Sequence, residues 1–263
     1  MKTDAENKIS AEIARIETMI NSDSMQRTRR NVRESGARVT PRNAASIILL
    51  RGKPGNEELV MGRRNRNLKF MPGAMVFPGG RVDRGDWRIP AADPLRPEVR
   101  AKILENLRGR PGEASAHALG IAALRELYEE TGHLIGREND TLPRHRDWKG
   151  YQGRGLAPSL DSLRLLARAI TPPGLHRRFD TWFFVARLDD YHIEPEEGFA
   201  PSGELEALKW LTPRDAMGAD TREITRVILV ELANRLKEDP KLSPDWPAPC
   251  YTTVRDRFNR RLM

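Results

Sequence analysis

The run Arg125, Glu126, Leu127, Tyr128, Glu129, Glu130, Thr131, Gly132 constrains this chain more than any other stretch. At about 100° per residue, a helix over it gathers Glu126, Glu129 and Glu130 within an arc of roughly 100°. Leu124, Leu127, Tyr128 and Thr131 take the opposite side, so one face is core and the other carries carboxylates. Left bare, that acidic face is unfavourable. Glu126 and Glu130 are a like-charged i,i+4 pair. With Gly132 as the residue that ends the helix, two acids also fall in a last turn whose dipole prefers cations. A divalent cation reverses the sign of each of these terms. Hard oxygen ligands without Cys or paired His suit Mg²⁺ or Mn²⁺ better than Zn²⁺. Helix geometry by itself is equally compatible with a solvated acidic face.

A domain assembles around this stretch from Ala44 onward. Residues 45–50 read as a buried strand and 58–63 as its hairpin partner across the turn at 53–56. A short strand at 74–77 is closed by Pro78, Gly79 and Gly80, and paired glycines let backbone approach a ligand closely. Residues 84–114 read as an insertion with one helix over 97–107, after which Ser115 caps the acidic helix. Then come a glycine-rich loop at 151–159, strands at 163–170, 181–188 and 204–211, and a short helix opened by Thr212 and Pro213. Ile224, Val227, Ile228, Leu232 and Leu236 mark an amphipathic helix over 221–237. Strands interleaved with helices indicate an α/β domain. The division that follows is a basic, flexible N-terminal arm (1–42) with a short amphipathic helix around 11–20, a domain (43–240) and a C-terminal extension (241–263).

The net charge of +8 raises the question of nucleic acid, but much of the charge is concentrated in two places. Residues 27–42 hold Arg27, Arg29, Arg30, Arg33, Arg38 and Arg42 against one acid, Glu34. Arg63, Arg64, Arg66, Lys69 and Arg81 bracket the glycine turn and fit an anion site. No helix-turn-helix or zinc-finger spacing is present, so polyphosphate is the more economical partner than a duplex. A lone cysteine, Cys250, excludes an internal disulfide and makes a reducing cytoplasm the default. The absence of a long apolar run predicts a soluble, unexported chain with no membrane partner. His117, His133, His145, His176 and His192 show no zinc-type spacing and are expected at the surface. Oligomeric state, a homodimer included, is left open.

Glycines, an acid and the Arg125–Gly132 run together resemble the signature of the Nudix hydrolases: Gly, five residues, Glu, seven residues, then Arg-Glu-hydrophobic-x-Glu-Glu-x-Gly-hydrophobic. Here Gly80 is followed after five residues by Asp86, and Arg125 to Gly132 match at every fixed position. Asp86 replaces the usual Glu, 38 residues separate it from Arg125, and His133 takes the final hydrophobic position. The insertion, the glycine-rich lead-in at 71–80 and Arg178, Phe179, Asp180, Thr181 before a strand are similar to a split-motif branch that includes animal coenzyme A diphosphatases.

The resemblance implies an α/β/α sandwich with a mixed β-sheet, hydrolysing a diphosphate with Mg²⁺ or Mn²⁺. It implies Glu126, Glu129 and Glu130 as metal ligands, with a backbone carbonyl from the Gly80 region, and Arg125 as the residue that orients them. Glu126 and Glu204 remain alternatives for the general base, and Arg64, Arg66, Lys69, Arg81 and Arg178 are the expected substrate contacts. Asp86 is expected to be displaced by the insertion. The favoured substrate is coenzyme A or acyl-coenzyme A, with ADP-ribose, NADH and dinucleoside polyphosphates as alternatives. A module that has lost turnover and contacts RNA or an acidic protein is the competing class.

Overall fold

The computed structural model describes residues 4–34, 39–68, 71–109, 112–188, 191–254 and 257–263. In chain order the elements are α1 (Asp4–Ile20), α2 (Asp23–Glu34), β1 (Arg42–Arg51), β2 (Glu58–Arg64), β3 (Met75–Val76), β4 (Gly79–Arg81) and α3 (Pro97–Asn106). There follow α4 (Glu113–Thr131), β5 (Leu134–Glu138), α5 (Lys149–Gln152), β6 (Leu156–Pro158), β7 (Arg164–Ile170) and β8 (Phe179–Arg187). The chain closes with β9 (His192–Ile193), β10 (Leu205–Leu211), α6 (Pro213–Gly218), α7 (Glu223–Glu238), β11 (Pro249–Val254) and β12 (Arg257–Leu262).

The main sheet runs β10-β2-β1-β8-β7-β11-β12, with β3 on β2 and β4 on β1. It is mixed, because β1 lies parallel to β8 and β11 parallel to β7 while the other pairings are antiparallel. Strand alternation sends side chains to two cores. Ala45, Ile47 and Leu49 of β1 and Trp182, Phe184 and Ala186 of β8 face one core with α3 and α4. Ile48, Leu50, Phe183 and Val185 face the other, with α7 and Ile16 of α1. This is the expected α/β/α sandwich. With both faces covered, the central strands read as continuous apolar runs.

Three expectations are corrected. The arm is not a loose segment over its described part: α1 packs along α7, and Ile9, Ile16 and Val32 are buried. Glu17 ties α1 to the far edge by accepting the Phe258 N–H at 3.0 Å. Ser115 is not the cap of α4; Gly112 holds that position without a side-chain cap bond. The stretch 151–159 is not all loop, since Tyr151 lies inside α5 and Leu156–Pro158 forms β6. Residues 241–263 supply β11 and β12, which extend the main sheet. Within the insertion, α3 covers the outer side of α4 through Val99 and Ile103. No described helix is long and apolar enough to cross a membrane.

Because Ile16 is 3% exposed within the second core, Ile16→Ala should lower unfolding free energy by about 2 to 4 kcal/mol in urea denaturation. The exposed Arg30→Ala should stay within about 0.5 kcal/mol of wild type. Equal stabilities for the two variants would return residues 4–34 to the status of a loose arm.

Candidate active site

The acidic helix is α4, and its end is set by Gly132, which adopts φ 79° and donates its N–H to the Tyr128 carbonyl at 2.8 Å. Leu124, Leu127 and Thr131 are buried as the helical period demands. Glu130 departs from a simple solvated face. It is 1% exposed, tucked beneath β4, where its Oε2 accepts the Gly79 N–H at 2.9 Å. A Cβ on Gly80 would sit 2.2 Å from Glu126 Oε1, so any larger residue there would push the Glu126 carboxylate out of its place.

Arg125 locks the arrangement. All five guanidinium N–H groups find oxygen: Nε and NH2 grip the Asp86 carboxylate at 2.9 and 3.1 Å, and NH2 also reaches the Arg81 carbonyl at 3.0 Å. NH1 bridges Glu126 Oε1 at 2.9 Å and Glu129 Oε2 at 3.0 Å. Asp86 is 1% exposed and uses its Oδ2 to accept the Asp83 N–H as well. The expectation that the insertion displaces Asp86 is therefore overturned: the chain departs after the contact is made and returns on α4.

The carboxylates are poised to meet a cation. Burial, against the attraction of Arg125, pushes Glu126 up to about 7, with help from Glu129 and Glu204. Burial and the charge of Glu126 raise Glu130 well above the usual carboxylate range. Burial raises Glu129 too, opposed by Arg125 and reinforced by Asp147. Glu130 Oε1 is buried with no hydrogen-bond partner. An orphaned carboxylate oxygen beside two further glutamates is a donor set that fits Mg²⁺ or Mn²⁺.

Comparison with known proteins agrees with this geometry. Residues 110–231 match the NUDIX domain family. That stretch, which holds the whole of α4, is a Nudix domain. It is 30% identical over 188 residues to a nudix protein of Caenorhabditis elegans, covering 67% of this chain and 53% of the relative. Against the acyl-coenzyme A diphosphatase NUDT19 of Gallus gallus it is 28% identical over 240 residues, covering 67% of this chain and 62% of the relative. The chain thus spans between about half and three fifths of the length of these relatives. A crystal structure of a NUDIX hydrolase from Alicyclobacillus acidocaldarius superposes with a TM-score of 0.55 at 24% identity, covering 76% of this chain and 97% of the other.

Around the Nudix helix α4 the expected residues fall on two flanks. On the sheet side, Arg64 NH2 lies 3.5 Å from Glu204 Oε2, and both act electrostatically on Glu130. Glu204 is 55% exposed at the head of β10. Arg66 is exposed near Gly73, and Lys69 lies outside the described residues. On the other side, Arg81 pairs with Asp83 at 3.0 Å, and Asp147 approaches Glu129. Arg178 does not present its guanidinium to the carboxylates: it donates to the carbonyls of Thr171 and Val39, securing the entry to β1 and β8. Its neighbour Asp180 forms a buried bidentate pair with Arg168 at 2.6 and 2.7 Å.

The histidine expectation fails in part. His133 is buried, its Nδ1 is 2.9 Å from His192 Nε2, and burial with the His192 charge lowers it to about 4. Ligand atoms of His133, His192 and Glu194 lie within 4.8 Å of one another, but a direct imidazole hydrogen bond accounts for the histidine pair without an ion. His117 is part-buried, with Nε2 at 2.8 Å from the Ile89 carbonyl. Sequence reasoning passed over Asp147 and Trp87; the signal for both was only their position in turns beside the motif.

The raised carboxylates fix a sign. The native state holds protons that the unfolded chain has released, so without metal the contribution of Glu126 to stability falls as pH rises from about 4.5 to about 7. Glu126→Gln should flatten the fall of Tm across that window in metal-free buffer. Mg²⁺ at pH 7.5 should raise the Tm of wild type but not that of Glu130→Gln. An unchanged Mg²⁺ response in Glu130→Gln would remove Glu130 from the metal site.

Proposed function

We propose that the protein is a metal-dependent hydrolase that cleaves the diphosphate linkage of a nucleoside diphosphate derivative, with coenzyme A or acyl-coenzyme A as the favoured substrate. The observation that carries the reading is the partnerless buried oxygen of Glu130 beside Glu126 and Glu129, held by the Arg125 clamp. Glu126, Glu129 and Glu130, with the Gly80 backbone alongside, are the residues that would hold Mg²⁺ or Mn²⁺. Such an ion, when bound, neutralises the phosphoanhydride oxygens and acidifies the attacking water.

The protein groups supply placement and proton transfer. Arg125 keeps Glu126 and Glu129 at fixed separation, and its contact with Asp86 stops the guanidinium from turning toward substrate. Glu126 is already committed through Oε1 to Arg125. Glu204 is exposed, close enough to influence Glu126 and Glu130, and free of the clamp. These positions favour Glu204 as the acceptor of the proton that the water loses on attacking phosphorus. Arg64 beside it would orient the substrate phosphate by charge-assisted hydrogen bonds. The name of the Gallus gallus relative, an acyl-coenzyme A diphosphatase, supports acyl-coenzyme A as the compound cleaved.

Purified full-length chain with Mg²⁺ is expected to split coenzyme A into adenosine 3′,5′-bisphosphate and phosphopantetheine, resolved by chromatography beside ADP-ribose, NADH and a dinucleoside polyphosphate. Glu204→Gln should lower kcat by about 10²- to 10⁴-fold while keeping the Mg²⁺-induced rise in Tm. Full activity in Glu204→Gln would move the base to Glu126. Cleavage of another compound in preference to coenzyme A would change the substrate, and no cleavage of any would favour the binding module.

A further inference from the structure

A cleft of about 690 Å³ opens on the Asp147 flank of the Nudix helix, with Arg125 and Asp86 in its wall. That size accommodates a nucleotide-sized ligand. Its sides come from the start of β1, the turn after β4 at 82–89 and the turn at 145–148. Of its charged residues, Asp86 and Arg125 are spent on the clamp. Arg81 is paired with Asp83 at 3.0 Å, and Asp147 receives Arg146 at 3.3 Å and His145 at 3.0 Å. Arg42 and Arg84 remain, with no ion-pair partner among the described residues, so the cleft keeps an excess of positive charge. Trp87, on the 3-10 turn Asp86–Arg88, is 42% exposed in the same wall, an unusual position for so large an apolar surface.

We propose that this cleft binds the phosphorylated nucleoside half of the substrate, Trp87 stacking on the base and Arg42 and Arg84 receiving a phosphate outside the scissile diphosphate. The inference rests on the diphosphatase reading given above and says which half of the molecule lies on which side. A diphosphate seated on Glu126, Glu129 and Glu130 has one end toward Arg64 and Glu204 and the other toward Asp147. An uncharged thiol-bearing arm has no use for two unpaired arginines, whereas a ribose phosphate does, and arginine forks match phosphate oxygens. An exposed indole beside them supplies the flat face on which a base stacks. A ribose phosphate is offered at the 3′ position by coenzyme A and at the 2′ position by NADPH. The chemistry is shared, and the binding partner distinguishes them.

The test is calorimetric titration of the full-length chain with AMP, adenosine 3′,5′-bisphosphate and adenosine 2′,5′-bisphosphate. Wild type should bind one bisphosphate at least tenfold more tightly than AMP, the preferred isomer naming the source. Trp87→Ala should weaken all three by about tenfold or more. Arg42→Ala or Arg84→Ala should remove the preference over AMP and leave AMP affinity unchanged. Both side chains on the 82–89 turn are exposed, so Tm should hold in Trp87→Ala and Arg84→Ala. Absence of the preference in wild type, its survival in both arginine variants, or full affinity in Trp87→Ala would overturn the proposal. Binding without hydrolysis of any diphosphate would sink the diphosphatase reading and leave the cleft as a nucleotide site. Hydrolysis with no bisphosphate binding would do the reverse.

Discussion

One guanidinium holds the site together. Arg125 is buried, and burial alone would oppose its charge. The hydrogen bond and charge of Asp86, with those of Glu126 and Glu129, overcome that opposition and raise it above its ordinary value. Desolvating such a cluster costs several kcal/mol per ion, so its justification is geometric and not a gain in net stability. It joins three segments: the end of β4 at Arg81, the turn that follows it at Asp86 and the last two turns of α4 at Glu126 and Glu129. With one face of the guanidinium fixed on Asp86, the other has no freedom to choose between Glu126 and Glu129, and it bridges them.

This arrangement explains why Glu130 can be kept so deep. A carboxylate with one oxygen on the Gly79 N–H and the other partnerless is costly in a metal-free protein. The surrounding sheet tolerates it because β4, β1 and β8 are tied by continuous ladders whose side chains fill two cores. The strain is local, and the energy to sustain it is drawn from the apolar packing on both faces of the sheet.

The helical period of α4 was legible in the sequence, because three carboxylates and a terminal glycine at those spacings leave few other geometries. The central strands were legible too, as apolar runs bounded by turn residues. Asp86 was not, since no local pattern tells that an acid separated from the arginine by 38 residues returns to it. The glycines at 79–80 were legible as a point of close approach, but the register between β1 and β4 that sets it was not. A short amphipathic helix around 11–20 was legible, but its packing against α7 was not, because the arginines that follow dominate the composition of the segment. His133 lies just before β5 and His192 on β9, and only the pairing of those two strands brings the rings together.

The cation is the point on which the account turns. Anomalous diffraction from a crystal soaked in Mn²⁺ would place it directly. The account predicts a peak at ligand distance from Glu130 Oε1 and from the carboxylate of Glu126 or Glu129. A crystal with no peak there, or with its only peak between His133 and His192, would contradict it.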